Sequence, residues 1–487
     1  LETVIAKKID ESFYKITAEY SVLLDISEFF KYRPDGYAFS PKYKAGIWDG
    51  WLKMFSTRDR KLPVGLLLRL KSFCDERRIE FVIDKIDSGI DVSLDQIKRF
   101  YEENDLPFVP KPHQTDALIE ALREKRITLL SPTASGKSFI IYLIHLFLRT
   151  KSLIILPRID LVTQTINNFK KYGYDVNLIH DIKNDGQDHE GKRVVVTTWQ
   201  AIYKKPREWF ESFETVFVDE VHGFPESRSL KTILENCYNA SWRIGTTGTI
   251  HDSRVHEMIL EALIGPVYKV TTTHELQKSG DVANIQVYSI RLKYPESVRR
   301  MFKDVTGDKK IDYSKEIDYI LASEKRMKIL SKLAVQCKGV TLVLFRYKEK
   351  HGLLLYDAIS KLTDRECFYI SGDIKSEDRS KIQEYMQTVS DCIAVASYGT
   401  YAEGIDIPNI NNVIIASPMK SRVKNLQAVG RGLRISTEFG KDKMALYDVI
   451  DDISWGNKKN HAYKHGLLRL KSYEEEKFPV KKLTIEM

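Results

Sequence analysis

Short runs of consecutive apolar residues alternate along most of this chain with longer stretches whose apolar positions recur every three or four residues. Unbroken apolar runs suit strands buried on both faces, and the longer period suits amphipathic helices. A first series of expected strands comprises Ile127–Leu130, Ser152–Leu156, Arg193–Thr197, Thr215–Val218 and Arg243–Gly245. A second comprises Thr341–Phe345, Cys367–Ile370, Cys392–Ala396, Asn412–Ala416 and Met444–Val449. Strand and helix in alternation predict βαβ units and parallel sheets. Two series predict two similar α/β lobes, joined around Tyr294 to Tyr319. Ahead of them, the proline-rich stretch up to Pro112 reads as an extended linker, because each proline restricts the residue before it. Residues before that stretch read as a small mixed α/β unit. The expected domains are therefore 1–100, 101–290 and 291–487.

Composition adds little to that picture except at one place. The 487 residues carry a formal net charge of +9, which fits a nucleic-acid partner without requiring one. Residues 31–71, however, hold ten Lys/Arg against three Asp/Glu, together with Tyr32, Tyr37, Phe39, Tyr43, Trp48, Trp51 and Phe55. Basic groups neutralise phosphates and exposed rings stack bases, so this stretch is a candidate nucleic-acid surface carrying Lys42, Lys44, Arg58 and Arg60. More than half of its rings are expected in the small domain's core. The five cysteines are scattered with no Cys-x-x-Cys pair, which argues against zinc or a disulfide framework. No apolar run reaches the roughly 20 residues of a spanning helix, so no membrane partner is expected. The expected location is intracellular.

Chemistry is concentrated in a few segments. Ser131-Pro132-Thr133-Ala134-Ser135-Gly136-Lys137-Ser138 follows one expected strand and precedes an apolar helix. A loop wrapping a triphosphate at a helix N-terminus supplies N–H donors, Lys137 a point charge and Ser138 a hydroxyl for Mg²⁺. Gly191-Lys192 and Gly440-Lys441 lack the following hydroxyl residue. The strand Val216-Phe217-Val218 ends in Asp219-Glu220-Val221-His222. Asp219 suits Mg²⁺, Glu220 suits the activation of water, and His222 suits a coupling role. Gln114 is placed to read an adenine edge. Thr247 and Thr249, in Thr246-Thr247-Gly248-Thr249, are candidates for coupling the nucleotide to the track. Arg431 and Arg434, in Gln427-Ala428-Val429-Gly430-Arg431-Gly432-Leu433-Arg434, are expected on one helical face as arginine fingers. Thr400 is a candidate phosphate contact, and Gly404 and Asp406 are candidates to line the nucleotide cleft, in Thr400-Tyr401-Ala402-Glu403-Gly404-Ile405-Asp406. Arg158 and Thr198 are further candidates for contacts to the nucleic-acid backbone, and Trp199 is expected to pack rather than to stack on a base.

In this order the segments resemble the motif series of superfamily-two helicases. Gln114 is followed by PTASGKS, LPRIDLVTQ from Leu156, TTWQ from Thr197, DEVH, TGT, GID and QAVGRGLR, spanning roughly residues 105–455. The stretch Phe29–Tyr37 through Trp48-Asp49-Gly50, and Lys464–Leu468 with Glu476-Lys477-Phe478, resemble the UvsW type of these helicases. The resemblance implies two tandem RecA-like P-loop lobes behind a small α/β accessory domain, hence an α/β fold. It further implies ATP and Mg²⁺ as cofactors, with ATP-site residues Gln114, Pro132 through Ser138, Gly404 and Asp406, and Gln427 in coupling. Implied partners are branched DNA, single-stranded DNA and RNA–DNA hybrids, with fork regression, branch migration and R-loop removal as activities. Two departures stand out: Ala134 replaces a common glycine, and TTGT replaces Ser-Ala-Thr. A duplex translocase that separates no strands, an RNA helicase, and a scaffold with a defunct ATPase are the rival readings.

Overall fold

The computed structural model describes residues 2–34, 36–84, 88–182, 189–221, 228–249, 254–302, 312–404, 407–420 and 429–487, with the backbone alone at 228, 254, 376 and 402–404. Its contacts divide the chain into two compact units. The first is Leu1–Ser131 with Gly136–Thr271, the second Pro132–Ser135 with Thr272–Met487.

The first unit opens with strands Thr3–Lys8 (β1), Phe13–Thr17 (β2), Lys31–Tyr32 (β3), Leu52–Lys53 (β4), Lys61–Pro63 (β5) and Glu80–Ile83 (β6). A four-stranded sheet of order β5-β2-β1-β6 packs on the helices Tyr20–Phe29 and Leu67–Arg77, while β3 and β4 form a separate ribbon. β1 alternates buried Val4 and Ala6 with outward Thr3, Ile5 and Lys7, as a sheet with one covered face requires.

Next come Arg126–Leu130 (β7), Ser152–Leu156 (β8), Ile179–Ile182 (β9), Val194–Thr198 (β10), Thr215–Asp219 (β11), Trp242–Thr247 (β12) and Val267–Lys269 (β13). They form one parallel sheet of order β13-β7-β12-β11-β8-β10-β9. Its inner strands are buried along their length, so β8 and β10 read as largely apolar runs, while β12 is buried throughout although it carries Arg243, Thr246 and Thr247. The small domain and this lobe share a continuous core running from Val4 to Ile264. At their junction the buried Arg243 donates to Ser12 Oγ (2.7 Å) and to the carbonyls of Cys237, Ala240 and Leu263 (2.9, 3.3 and 3.4 Å). A Cβ on Gly65 would fall 1.7 Å from the Glu261 carbonyl oxygen, so only glycine permits that approach.

The second unit contains Asn284–Lys293 (β14), Val340–Phe345 (β15), Cys367–Ile370 (β16), Ile393–Ser397 (β17), Ile410–Ile415 (β18), Lys443–Asp452 (β19) and Val480–Glu486 (β20). These too form a parallel sheet, of order β16-β17-β15-β18-β19-β14-β20. β14 lies ahead of the joint expected at Tyr294–Tyr319 yet belongs to this sheet. Two buried ion pairs, Arg326–Asp451 (2.7 Å) and Arg469–Asp448 (2.6 Å), fasten helices to β19. The architecture is α/β: two parallel-sheet lobes with a small α/β domain at the N-terminus.

Candidate ATPase site and nucleic-acid contacts

Because β7, β12, β11, β8 and β10 run parallel and adjacent, the residues that follow them emerge at one edge of the first sheet. Ligands of open parallel sheets bind outside the carboxyl ends of the strands. At that edge stand the loop after Leu130, Thr247, Asp219, Arg158 and Thr198.

The loop after β7 is anchored where Ser131 N–H donates to Thr247 O (2.8 Å), and Ser135 Oγ donates to Pro132 O (2.7 Å). Gly136, at φ +84°, starts the helix Lys137–Leu148. Ala134 holds φ +69°, a left-handed backbone that costs a side-chain-bearing residue roughly 1–2 kcal/mol. This is the position where the resembling family commonly has glycine, so the departure carries local strain. Gln114 is buried. Its Oε1 accepts from Lys111 N–H (2.9 Å), and its Nε2 would lie 2.3 Å from a Cβ at position 136. The carboxamide thus stands directly against the phosphate loop.

Lys137 Nζ lies 3.4 Å from Glu220 Oε1 and 3.5 Å from Ser131 O. Asp219 Oδ1 accepts from Thr246 Oγ1 (2.5 Å) and from the Glu220 N–H (2.9 Å). Burial, and then the adjoining Glu220 carboxylate, push the Asp219 carboxyl above its ordinary range; Lys137 and the two hydrogen bonds oppose the shift. Glu220 itself sits at φ +53°, a second strained position at the same edge. Ser138 Oγ lies 3.1 Å from Tyr172 Oη and accepts from Asn168 Nδ2 (3.3 Å), both near the end of the helix Ile159–Lys171 and its cap. A hydroxyl and a carboxylate with a neighbouring lysine form a donor set that fits Mg²⁺, which takes one or two protein oxygens and fills the rest with water and phosphate.

Other expected residues fall as follows. Thr247 Oγ1 donates to Thr249 O (2.8 Å), whereas Thr249 Oγ1 is buried with no hydrogen bond. Arg158 forks onto Asp160, Nε to Oδ1 at 2.9 Å and Nη2 to Oδ2 at 3.0 Å, so its charge is internally balanced. Thr198 is buried at the end of β10, and Trp199 packs against the core. In the second unit, Thr400 is buried and pairs with Ser397 Oγ (2.7 Å), and Gly404 closes the helix Tyr398–Gly404. His222, Asp406 and Gln427 lie outside the described residues. The helix bearing Arg431 ends at 432, so Arg434 stands beyond it rather than on the same helical face, as spacing alone suggested. The chain leaves the helix because the carbonyls of Gly432 and Arg434 are both turned onto Lys441.

Lys42, Lys44 and Arg58 are exposed, and Arg60 is half-buried with its carbonyl bonded to Ile16 N–H. The rings around them correct the expectation that most are core. Of the seven, Phe55 is fully buried, Phe39 is 79% exposed and the rest are half-buried. Cations cover three of them instead. Arg33 stacks over Tyr37 and Trp51 (4.8 and 4.6 Å), Lys31 over Trp51 (4.6 Å), and Lys44 over Phe39 (5.9 Å). Guanidinium and ammonium faces satisfy a ring while leaving the surface basic.

Comparisons with known proteins place these features in a lineage. Residues 5–84 match the family described as DNA helicase UvsW, N-terminal; 107–252 match type III restriction enzyme, res subunit; and 324–436 match the helicase conserved C-terminal domain. The chain is 31% identical to the ATP-dependent DNA helicase uvsW of Enterobacteria phage T4, over 96% of this chain and 97% of that one. The chain belongs to the UvsW family of helicases. The crystal structure of T4 UvsW matches 99% of both chains, at 28% identity and a TM-score of 0.51. A DNA 3'-5' translocase XPB2 of Sulfurisphaera tokodaii is 24% identical over 84% of this chain and 94% of its own.

This UvsW-family chain is a nucleic-acid-dependent ATPase of the helicase class. Sequence reasoning did not single out several residues that touch the candidate site's side chains. Thr246, not Thr247 or Thr249, is the hydroxyl that touches Asp219. The signal was available in principle, since β11 and β12 are parallel neighbours and Thr246 is in register with Asp219. Tyr172 and Asn168 carried no local signal, since only the packing of two helices brings them to Ser138.

Proposed function

We propose that the chain remodels branched DNA, driving fork regression and branch migration, and that it removes RNA from RNA–DNA hybrids, in recombination, repair and replication. ATP binds at the first sheet's carboxyl edge, with Gln114 at the adenine and residues 132–138 around the phosphates. Lys137 neutralises phosphate charge. Ser138 and Asp219 would hold Mg²⁺, which when bound supplies charge to the phosphate oxygens. Glu220 accepts the proton of the attacking water, and Arg431 and Arg434 stabilise charge on the γ-phosphate. Gly404 and Asp406 complete the nucleotide site, and His222, Thr247, Thr249 and Gln427 couple it to the track. Arg158, Thr198 and Thr400 contact the strand's backbone, since travel independent of sequence requires grip on phosphates and sugars. Lys42, Lys44, Arg58 and Arg60 hold a second arm of the junction. Engaging Arg158 requires phosphate to displace Asp160.

The observation that carries the catalytic part is the cluster of Lys137, Glu220, Asp219 and Thr246 at the ends of neighbouring strands. The junction part rests on end-to-end likeness to a named DNA helicase and on the basic, ring-bearing face of the small domain. Lys137→Ala is expected to abolish ATP hydrolysis in a folded protein; normal turnover would refute the site. ATPase stimulation by forked DNA, single-stranded DNA, RNA–DNA hybrid and plain duplex is expected to rank the fork and the hybrid first. The match to a restriction-enzyme motor family favours a second reading, translocation on duplex without strand separation. Stimulation by plain duplex with no strand displacement would select it.

A further inference from the structure

Lys441 is 3% exposed, and its ammonium touches backbone alone among the hydrogen bonds of the described residues. Nζ donates to Gly432 O (2.6 Å), Arg434 O (2.5 Å) and Pro408 O (2.9 Å). An ammonium has three donors, and all three are spent. The carbonyl between the two, Leu433 O, accepts from Ala283 N–H (2.7 Å). Three consecutive carbonyls, from the last residue of the Arg431 helix onward, are therefore fixed by tertiary partners. Lys441 is itself held in a tight reversal, paired with Ser436 through Lys441 N–H to Ser436 O (2.8 Å) and Ser436 N–H to Lys441 O (3.2 Å). A Cβ on Gly432 would meet Met444 Sδ at 2.2 Å, so the same segment lies hard against β19.

A buried ammonium is costly. Burial, with the positive charge of Arg434 adding to it, pulls this one down to about 7. An apolar side chain would fill the space without that penalty but would leave three carbonyls unpaired. The end of a helix also favours a cation, which meets its last carbonyls and the negative end of its dipole. Pro408 lies two residues past Asp406, so one side chain ties the end of the Gly404–Pro408 segment to the segment bearing both arginines.

We propose that Lys441 is a positioning residue for ATP hydrolysis, setting the path of residues 431–434 so that Arg431 and Arg434 reach the γ-phosphate. It touches neither substrate nor reacting atoms. The inference rests on the arginine assignment made above, and its test separates the two.

In the full chain, Lys441→Met keeps length and volume but removes every donor. DNA-stimulated ATPase is measured with Arg434→Ala and the double variant alongside. Lys441→Met is expected to lower kcat on the order of 10- to 100-fold, as for a misplacement of roughly 1 Å, with KM for ATP little changed. Added to Arg434→Ala, it should cost less than the two separate losses combined, because part of its effect passes through Arg434. If Lys441→Met does not fold, Lys441→Gln, which keeps two donors, is expected to show the same split with a smaller fall. Wild-type kcat in the lysine variant, a rise in KM matching the fall in kcat, or full additivity with Arg434→Ala would overturn the inference. Wild-type kcat in both Arg431→Ala and Arg434→Ala would instead overturn the arginine assignment, and the role of Lys441 with it.

Discussion

Arg326 offers a quantitative test of how the second unit is held. Its guanidinium is 1% exposed and forks onto Asp451, which is fully buried, with Nε to Oδ1 at 2.7 Å and Nη2 to Oδ2 at 3.0 Å. Nη2 also donates to Ala416 O (2.6 Å), and Nη1 lies 3.4 Å from His351 Nε2. Burial, with Arg326 beside it, pulls His351 down to about 3, so the ring is neutral and its Nδ1 pairs with Ser417 Oγ (2.8 Å). Arg326→Met leaves a buried carboxylate with Tyr294 Oη (3.1 Å) as its remaining side-chain donor among the described residues. Breaking one side of such a pair costs about 3–5 kcal/mol, because the surviving charge stays desolvated. At roughly 2–4 °C per kcal/mol for a unit of this size, its unfolding should shift down by about 6–20 °C. Calorimetry of the full chain, with hydrogen exchange followed on β19, reads this unit separately from the first. Adding Asp451→Asn to Arg326→Met should restore about 2 kcal/mol or more, since the orphaned charge is gone. A loss below about 1 kcal/mol in the single variant, or a double variant as unstable as the sum of the two singles, would refute the argument.

Three further outcomes follow from the first unit. Glu220→Gln keeps shape and removes the proton acceptor, and should lower DNA-stimulated kcat on the order of 10²–10⁴-fold with ATP binding retained by fluorescence titration. Thr246→Val removes the hydrogen bond to Asp219 and should reduce kcat about tenfold or more, as expected for a charge-assisted bond of roughly 1.5–3 kcal/mol; steady-state ATPase decides. His145 is buried between Ser152 Oγ (2.8 Å) and Tyr174 Oη (2.9 Å), and burial, with Arg193 nearby, pulls it to about 4. Below its ordinary value of 6.5 the unfolded chain takes a proton that the folded ring resists, so stability falls as pH drops toward 4, by up to about 3 kcal/mol. Urea unfolding followed by exchange on β8 should show that slope in the wild type and lose it in His145→Gln.

What the sequence disclosed depends on how local each feature is. The inner strands of both sheets were readable because burial on two faces leaves few polar positions to interrupt the run, as in Ser152–Leu156. Of the strands toward the edges, Cys367–Ile370 was read but others were not. β14 alternates buried and half-buried residues through Arg291 and Lys293, β20 is mostly exposed and lysine-bearing, and β9 carries His180 and Asp181. The site divides the same way. A phosphate loop is its own binding surface, so its chemistry is written in consecutive residues, and the Asp219-Glu220 pair comes with its strand. Thr246 requires the pairing of two strands that lie apart in sequence, and Tyr172 and Asn168 require the packing of two helices. Arg434 shows the limit most sharply. Its spacing from Arg431 is helical, yet a lysine seven positions further on captures the carbonyls that would continue the helix. Periodicity reports which face a helix would bury, but where the helix stops is decided by whichever donor reaches its last carbonyls first. Here that donor is Lys441, whose Gly-Lys dipeptide lacks the hydroxyl that would mark a phosphate site, and which works on backbone oxygens instead.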